Sequence, residues 1–223
     1  NYELPFLFSL LGGRRARTVL DAACGTGWHT IALAQHGYAA VGCDASRAMV
    51  ERARANAAQA QVKASFYVAE LSRLAAHFGF DAILCLGNSL PHLLTPQALL
   101  AALQQMRACL APGGVLILHN LNYDLRLKTR PRFFAASGDA DTLVWRFADY
   151  DADSITFHTA LFERGANGWS VQVNSTLQRP LSKNELDEAL TQVGFVNIRH
   201  FGGLDGSAFD AEASSDLVIV TEV

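Results

Sequence analysis

Asp21, Asp44 and Glu70 each close a run of apolar residues, and a turn of small residues, Ala22 to Gly27, follows the first of them. Carboxylates in such places accept hydrogen bonds from hydroxyl and amino groups. Gly25 and Gly27 let a backbone approach a ligand closely, because glycine has no Cβ and tolerates positive φ. Asp44 follows Asp21 by 23 residues, close to the spacing at which an acid accepts bonds from ribose hydroxyls. Glu70, one strand further on, is placed to reach an adenine amino group, with Leu71 or Met49 against the ring. The third glycine of the dinucleotide fingerprint is missing, since Thr30 stands there. A pyrophosphate would sit poorly on such a turn, and a neutral or zwitterionic linker fits better.

A second set of residues could handle an acceptor. His92, His119 and Tyr123 are candidates for accepting a proton, and Asn122 is a candidate polar anchor. Arg126, Lys128, Arg130 and Arg132 place four positive charges within seven residues. Such a run is commonly a solvated face; the sharper reading is that Arg126 or Arg146 pairs with a substrate carboxylate. The aromatic residues Trp145, Phe147, Tyr150 and Trp169 either wall the acceptor pocket or pack locally. No metal-ligand constellation is visible.

These residues need elements to position them. Thr18–Asp21, Ala39–Asp44, Ser65–Glu70, Phe80–Leu86 and Val115–His119 read as buried strands. Helical patterns fall between them: Trp28–His36 stopped by Gly37, a helix capped by Ser46 and running to about Ala60, and Pro96 to about Leu110. A short helix is expected over Ser72–Phe78, and Pro112-Gly-Gly114 reads as a turn. Alternating strands and helices of this kind give a parallel sheet covered on both faces, with its ligand crevice at the carboxyl ends of the strands. The three acids are therefore expected to face one crevice.

Residues 121–180 break the rhythm. Leu121–Phe134 is polar and basic, and Asp141–Tyr150, Ser154–Arg164 and Trp169–Gln178 read as three antiparallel strands joined by short turns. Helical rhythm resumes at Ser182, with Glu185 completing a capping box, and strands at Val196–Phe201 and Asp216–Glu222 finish the chain. The expected architecture is α/β and Rossmann-like. Residues 1–120 and 181–223 form a seven-stranded, mostly parallel core, and 121–180 form an antiparallel insertion over the substrate site.

The 223 residues suit one domain with an insertion; half are hydrophobic and 17% are charged. A net charge of −3 argues against a nucleic-acid partner. No apolar run approaches the ~18 residues of a membrane span. The chain starts at Asn1 rather than Met, so upstream residues are expected to be missing. Cys24, Cys43, Cys85 and Cys109 form no Cys-x-x-Cys pair, which argues against disulfides and zinc and fits a reducing cytoplasm.

Asp21-Ala-Ala-Cys-Gly-Thr-Gly27, Asp44-Ala-Ser46 with Met49, Cys85-Leu-Gly-Asn-Ser-Leu-Pro-His92, Pro112-Gly-Gly114 and Asn122-Tyr-Asp124 occur in this order. Together they resemble the class I S-adenosylmethionine-dependent methyltransferases, nearest to the glycine and glycine/sarcosine N-methyltransferases. The resemblance covers about residues 18–124. It implies that Ala23, Gly25 and Gly27 hold the methionine part of the cofactor, that Asp44 binds the ribose, and that Glu70 and Leu71 contact the adenine. Leu86, Asn88 and Ser89 then lie beneath the sulfonium, followed by His92, and Asp21, Trp28 and Ala45 adjoin the same site. An antiparallel last strand is also implied. The insertion matches the glycine enzymes less clearly, and the N-terminal segment that often closes over the cofactor is short or missing.

The expected activity is methyl transfer from S-adenosyl-L-methionine to a small-molecule acceptor, an amine of an amino-acid-like compound foremost, leaving S-adenosyl-L-homocysteine, with no metal. A homodimer stays open. The competing readings are an NAD-dependent oxidoreductase, which would want glycine at position 30, a non-catalytic cofactor-binding protein, and an RNA methyltransferase. The last lacks both a basic face and an Asn-Pro-Pro-Tyr motif.

Overall fold

A computed structural model describes residues 2–74 and 79–223. Helix α1 (Glu3–Gly13) leads to β1 (Thr18–Ala22), α2 (Trp28–Gln35), β2 (Ala39–Asp44), α3 (Arg47–Gln59), β3 (Ser65–Val68) and β4 (Phe80–Cys85). Next come α4 (Pro96–Cys109), β5 (Leu110–Leu121) and α5 (Tyr123–Thr129). A second group of strands follows, β6 (Ser137–Gly138), β7 (Thr142–Tyr150), β8 (Ile155–Gly165) and β9 (Gly168–Gln178). The chain closes with α6 (Lys183–Val193), β10 (Val196–Phe201) and β11 (Asp216–Glu222).

Seven strands form one sheet in the order β10-β11-β5-β4-β1-β2-β3. The strands β1 to β5 run parallel to one another, and β11 runs antiparallel to both β5 and β10. The fold is therefore the expected α/β sheet, with the antiparallel last strand in place. From β1 the chain passes to β2 and β3 on one side and to β4 and β5 on the other. Ligands of open α/β sheets bind at the carboxyl ends beside such a reversal.

Both faces of the sheet are sealed. Leu20, Ile83, Leu116 and Leu118 pack on one side with α4 and α6 residues such as Leu103 and Leu190. Val19, Leu84 and Ile117 pack on the other with Leu7 and Leu11 of α1 and Leu33 of α2. Each such side chain stabilises the fold by about 1.5–3 kcal/mol on burial. At the amino edge Asp81 clamps the start of β1. Its Oδ2 accepts bonds from the amides of Arg17 (2.7 Å) and Thr18 (2.9 Å) and from the Thr18 hydroxyl (3.0 Å), which hold its carboxyl below the usual range.

Several boundaries differ from expectation. β3 stops at Val68, so Glu70 lies two residues beyond the strand. In the expected helix Ser72–Phe78, the described part is a single 3₁₀ turn, Leu71–Arg73; residues 75–78 lie outside the described residues. Pro112-Gly-Gly114 is not a turn between elements: β5 begins at Leu110 and absorbs these residues as a register shift against β4, with Gly113 at φ 75°. Residues 123–129 of the basic stretch form α5, capped by Asn122. The second sheet has four strands rather than three, in the order β6-β7-β8-β9, because the two-residue β6 pairs with β7. Among the described residues, no helix is long and apolar enough to cross a membrane.

Candidate active site

The turn after β1 is built from left-handed residues at alternate positions: Ala23 (φ 63°), Gly25 (φ 54°) and Gly27 (φ 81°). Alanine tolerates this region poorly, so the turn stores strain that its neighbours must hold. They do so through β2. The Cys24 amide donates to the Cys43 carbonyl (2.8 Å), and the Gly25 amide donates to Oδ2 of Asp44 (2.9 Å). The other oxygen of Asp44 accepts from the Ser46 amide (2.8 Å). Each carboxylate oxygen keeps acceptor capacity for a further donor. A Cβ on Gly25 would meet nothing within 4 Å, so open space lies above that residue. A Cβ on Gly27 would come within 2.8 Å of Phe66 and 2.9 Å of Ala53, so Gly27 is needed for packing as well as for φ.

Glu70 and Ala45 are exposed at this edge, Leu71 is half-buried, and Met49 is 44% exposed. Asp21 behaves otherwise than expected. It is buried, and its Oδ2 accepts from both the amide (3.1 Å) and the hydroxyl (2.7 Å) of Thr30. Burial pushes its carboxyl pKa up, against the pull of His29 and the Thr30 bonds. Asp21 therefore ties α2 to β1 from inside, and the open acids are Asp44 and Glu70. Trp28 lines a groove of about 340 Å³ between α2 and α3, with Ile31, Gln35, Asn56 and Gln59, which places it on the flank of the turn.

The turn after β4 is likewise left-handed at Gly87 (φ 71°) and Asn88 (φ 63°). The Gly87 amide donates to Nδ1 of His119 (3.3 Å), and Nε2 of His119 lies 3.4 Å from Asp216. Nδ1 is therefore the acceptor of this ring, and Nε2–H points at the carboxylate. Asp216 carried no signal in the reading of the sequence. It belongs here because β11 is antiparallel, so its first residue lies at the same edge as the ends of β4 and β5. Leu86 is buried, and the Ser89 hydroxyl donates to its carbonyl (2.8 Å). His92 is exposed at the end of a 3₁₀ turn, and desolvation lowers its pKa.

Asn88 also joins the core to the second sheet. Its Nδ2 donates to the Tyr123 hydroxyl (2.9 Å), its Oδ1 accepts from the Leu121 amide (3.0 Å), and the Tyr123 hydroxyl donates to Oε1 of Gln178 on β9 (3.0 Å). Tyr123 is 1% exposed, and burial raises its pKa to about 12. It is a neutral phenol at a joint, not an open base as expected. Asn122 is also reassigned. Its Nδ2 donates to the carbonyls of Ala211 (3.1 Å) and Ser214 (2.9 Å), and its Oδ1 caps α5 through the Leu125 amide (3.3 Å). Both amide hydrogens are committed, so Asn122 anchors the chain rather than a ligand.

The basic run divides. Lys128 pairs with Glu212, and Arg132 pairs with Asp149 (2.9 Å). Arg126 turns inward, its guanidinium 5.0 Å from the centre of the Phe134 ring. Its Nη1 is buried and has no hydrogen-bond partner among the described residues. Arg126 lines a cavity of about 150 Å³ with Asn122, Leu125, Thr129, Pro131 and Ser215, beside the ends of β5 and β11. Arg146 is exposed on β7, on the strand face shared with Ala148 and Tyr150. All four cysteines are buried free thiols with raised pKa values, that of Cys43 reaching about 12. Among the described residues, no group of His, Cys, Asp and Glu side chains could hold a metal ion.

A methyltransferase-domain family matches residues 19–114, the stretch that carries both left-handed turns and Asp44. Over 203 residues the chain is 31% identical to a glycine/sarcosine N-methyltransferase of Parasynechococcus marenigrum, covering 90% of this chain and 70% of that enzyme. The chain belongs to the S-adenosylmethionine-dependent methyltransferases. This methyltransferase is also 34% identical over 221 residues to a glycine/sarcosine/dimethylglycine N-methyltransferase of Actinopolyspora halophila, covering 90% of this chain and 35% of that one. In fold it matches an S-adenosylmethionine-dependent methyltransferase from Clostridium acetobutylicum with a TM-score of 0.88 at 17% identity, covering 100% of this chain and 91% of the other. The crevice of the methyltransferase fits its cofactor. S-adenosylmethionine carries no pyrophosphate, so Thr30 in place of a third glycine is no obstacle, and Asp44 offers free acceptor capacity beside an open Gly25. The dinucleotide reading is thereby set aside.

Proposed function

We propose that this methyltransferase moves a methyl group to the amine of a small molecule that also carries an acidic group. The observation that supports this most is Arg126. A guanidinium nitrogen held out of water without a partner is costly, and an anionic group entering the adjoining cavity would relieve that cost with a charge-assisted bond. Relatives named for glycine and sarcosine N-methylation favour an amine as the reacting group.

We assign the turn 23–27 to the amino-acid end of the cofactor, Asp44 to its ribose hydroxyls, and Glu70 to its adenine amino group. Met49 and Leu71 lie against the ring, with Leu86, Asn88 and Ser89 beneath the sulfonium. Bound S-adenosylmethionine supplies an already activated methyl group. The chain's own task is then alignment in a site closed to water, and alignment can supply about 7–11 kcal/mol of the barrier. His119 positions: its Nδ1 holds Gly87, and Asp216 orients the ring. His92, whose pKa is lowered by desolvation, is the group we assign to take the amine's proton.

The test is a panel of matched amines with and without a carboxylate, assayed with wild type and Arg126→Gln. Carboxylate-bearing amines are expected to turn over best. Arg126→Gln is expected to raise their KM roughly 10- to 100-fold, the value of a hydrogen bond to a charged group at about 1.5–3 kcal/mol. Equal turnover of neutral and acidic amines by wild type would sink the reading.

A further inference from the structure

The ladder between β4 and β5 ends at Cys85, and the segment Leu86–Leu93 beyond it is held in part from the end of β9. Gln178, the last residue of β9, reaches Asn88 through the Tyr123 hydroxyl. Arg179, the next residue, reaches the far end of the same segment. Its amide donates to the Pro91 carbonyl (2.8 Å), and its Nε donates to the Leu93 carbonyl (3.3 Å). These two carbonyls flank His92, which closes the 3₁₀ turn Leu90–His92. A single helical turn leaves its closing carbonyls without partners of its own, so Arg179 supplies donors that the turn lacks. The guanidinium is itself fixed. Its Nη1 pairs with Glu185, whose own place is set at the start of α6, where its amide donates to the Ser182 hydroxyl oxygen (3.2 Å).

We infer that Arg179 is a positioning residue for methyl transfer: from the end of the second sheet it fixes the segment Leu86–Leu93, and His92 within it, against the reacting methyl group. The inference rests on the assignment, made above, of that segment to the sulfonium end of the cofactor. Stability alone gives little reason for an arginine here. Its side chain is 15% exposed, and its Nη2 is buried with no hydrogen-bond partner among the described residues. An ion pair so far out of water, with a donor unmet, is a poor stabiliser. What the residue contributes is geometry, because a planar guanidinium holds Nε and Nη1 in one fixed relation. In-line displacement depends on such geometry, and a misplacement of about 1 Å can cost about 100-fold in rate. The loss of Arg179 should therefore appear in kcat, whereas the loss of Arg126 should appear in KM.

Two variants and one exchange measurement test this. Arg179→Met keeps the backbone bond to Pro91 and removes the fork. Arg179→Lys keeps the charge beside Glu185, but one ammonium does not reproduce a fork that spans Glu185 and Leu93. With carboxylate-bearing amines, both variants are expected to lower kcat roughly 10- to 100-fold. The KM and the Kd of S-adenosylhomocysteine are expected to stay at their wild-type values, which also shows that the variants fold. Arg179→Met is expected to melt no lower than wild type, so that rate and stability part company, which a merely structural role would not produce. In the complex with S-adenosylhomocysteine, the His92 and Leu93 amides, which bond to the Ser89 and Leu90 carbonyls, are expected to exchange about tenfold faster in Arg179→Lys, with the amides of β1 unchanged. Unchanged kcat in both variants would overturn the inference, as would exchange at residues 92 and 93 that matches wild type. A KM raised for acidic amines at unchanged kcat would also overturn it, and would make Arg179 a second carboxylate ligand. If wild type methylates no amine of the panel, the amine reading fails by itself, and exchange at His92 and Leu93 still decides whether Arg179 holds the segment.

Discussion

The crevice and the second sheet hold their shapes by opposite means. At the crevice, short turns with little apolar surface are pinned by individual bonds: Gly25 to Asp44, Gly87 to His119, Asn88 to Tyr123. Their left-handed residues include Ala23 and Asn88, which pay for the conformation with strain. The second sheet instead relies on long ladders between β7, β8 and β9, with one face on the core and the other open. A site that must present fixed donors to a common cofactor tolerates little change of type. The second sheet, which we propose lies over the acceptor, should tolerate more, provided its inner residues pack.

Substitutions can break that contrast. The largest effect is expected from Asp44→Ala, which removes the proposed acceptor of the ribose hydroxyls and the anchor of Gly25 together. Affinity for S-adenosylhomocysteine by calorimetry should fall at least 100-fold, on the order of 3 kcal/mol for two charge-assisted bonds. Retained affinity would show that the turn holds itself without β2. Next, two glycines with positive φ can be set against each other. Gly27→Ala adds a Cβ within 2.9 Å of two side chains and should cost roughly 3 kcal/mol, from overpacking plus backbone strain. Gly168→Ala, in the β8–β9 hairpin with open space around it, should cost about 1 kcal/mol from strain alone. Thermal melts of the two variants read the difference, and equal losses would remove the contrast.

Tyr123→Phe probes the joint between the regions. Loss of the hydroxyl leaves Asn88 and Gln178 without that partner and should cost about 1–2 kcal/mol of stability. Because burial holds this phenol near pKa 12, it stays protonated in both wild type and assay at neutral pH. The pH–rate profile between pH 6 and 9 should therefore be unchanged in shape. A limb that disappears from the profile would make Tyr123 a proton carrier after all.

The cofactor half was the more legible in the sequence. Apolar runs ending in Asp44 and Cys85, and glycines at 25, 27 and 87, reflect backbone constraints that few residue types satisfy. Orientation was not legible. Asp21 and Asp44 look alike as strand-end acids, yet one points in to Thr30 and the other out, because hydrophobic period says which residues alternate and not which way a terminal carboxylate turns. Asn122 looked like an anchor and is one, but for α5 and the loop before β11. Its capping role was readable from Asp124 in the following turn, a signal hidden by the basic run. Asp216 was invisible, since only the antiparallel placement of β11 brings it to His119. The Pro112-Gly-Gly114 segment misled for a similar reason: Gly113 at positive φ lets β5 continue through a register shift that local composition reads as a break.

The separation of a cofactor half from an acceptor half is tested most directly by one paired measurement on Arg126→Gln: the Kd of S-adenosylhomocysteine beside the KM of a carboxylate-bearing amine. The structure predicts an unchanged Kd with a KM raised roughly 10- to 100-fold, about 1.5–3 kcal/mol. A Kd weakened as much as the KM would contradict it, and would place Arg126 in the cofactor crevice itself.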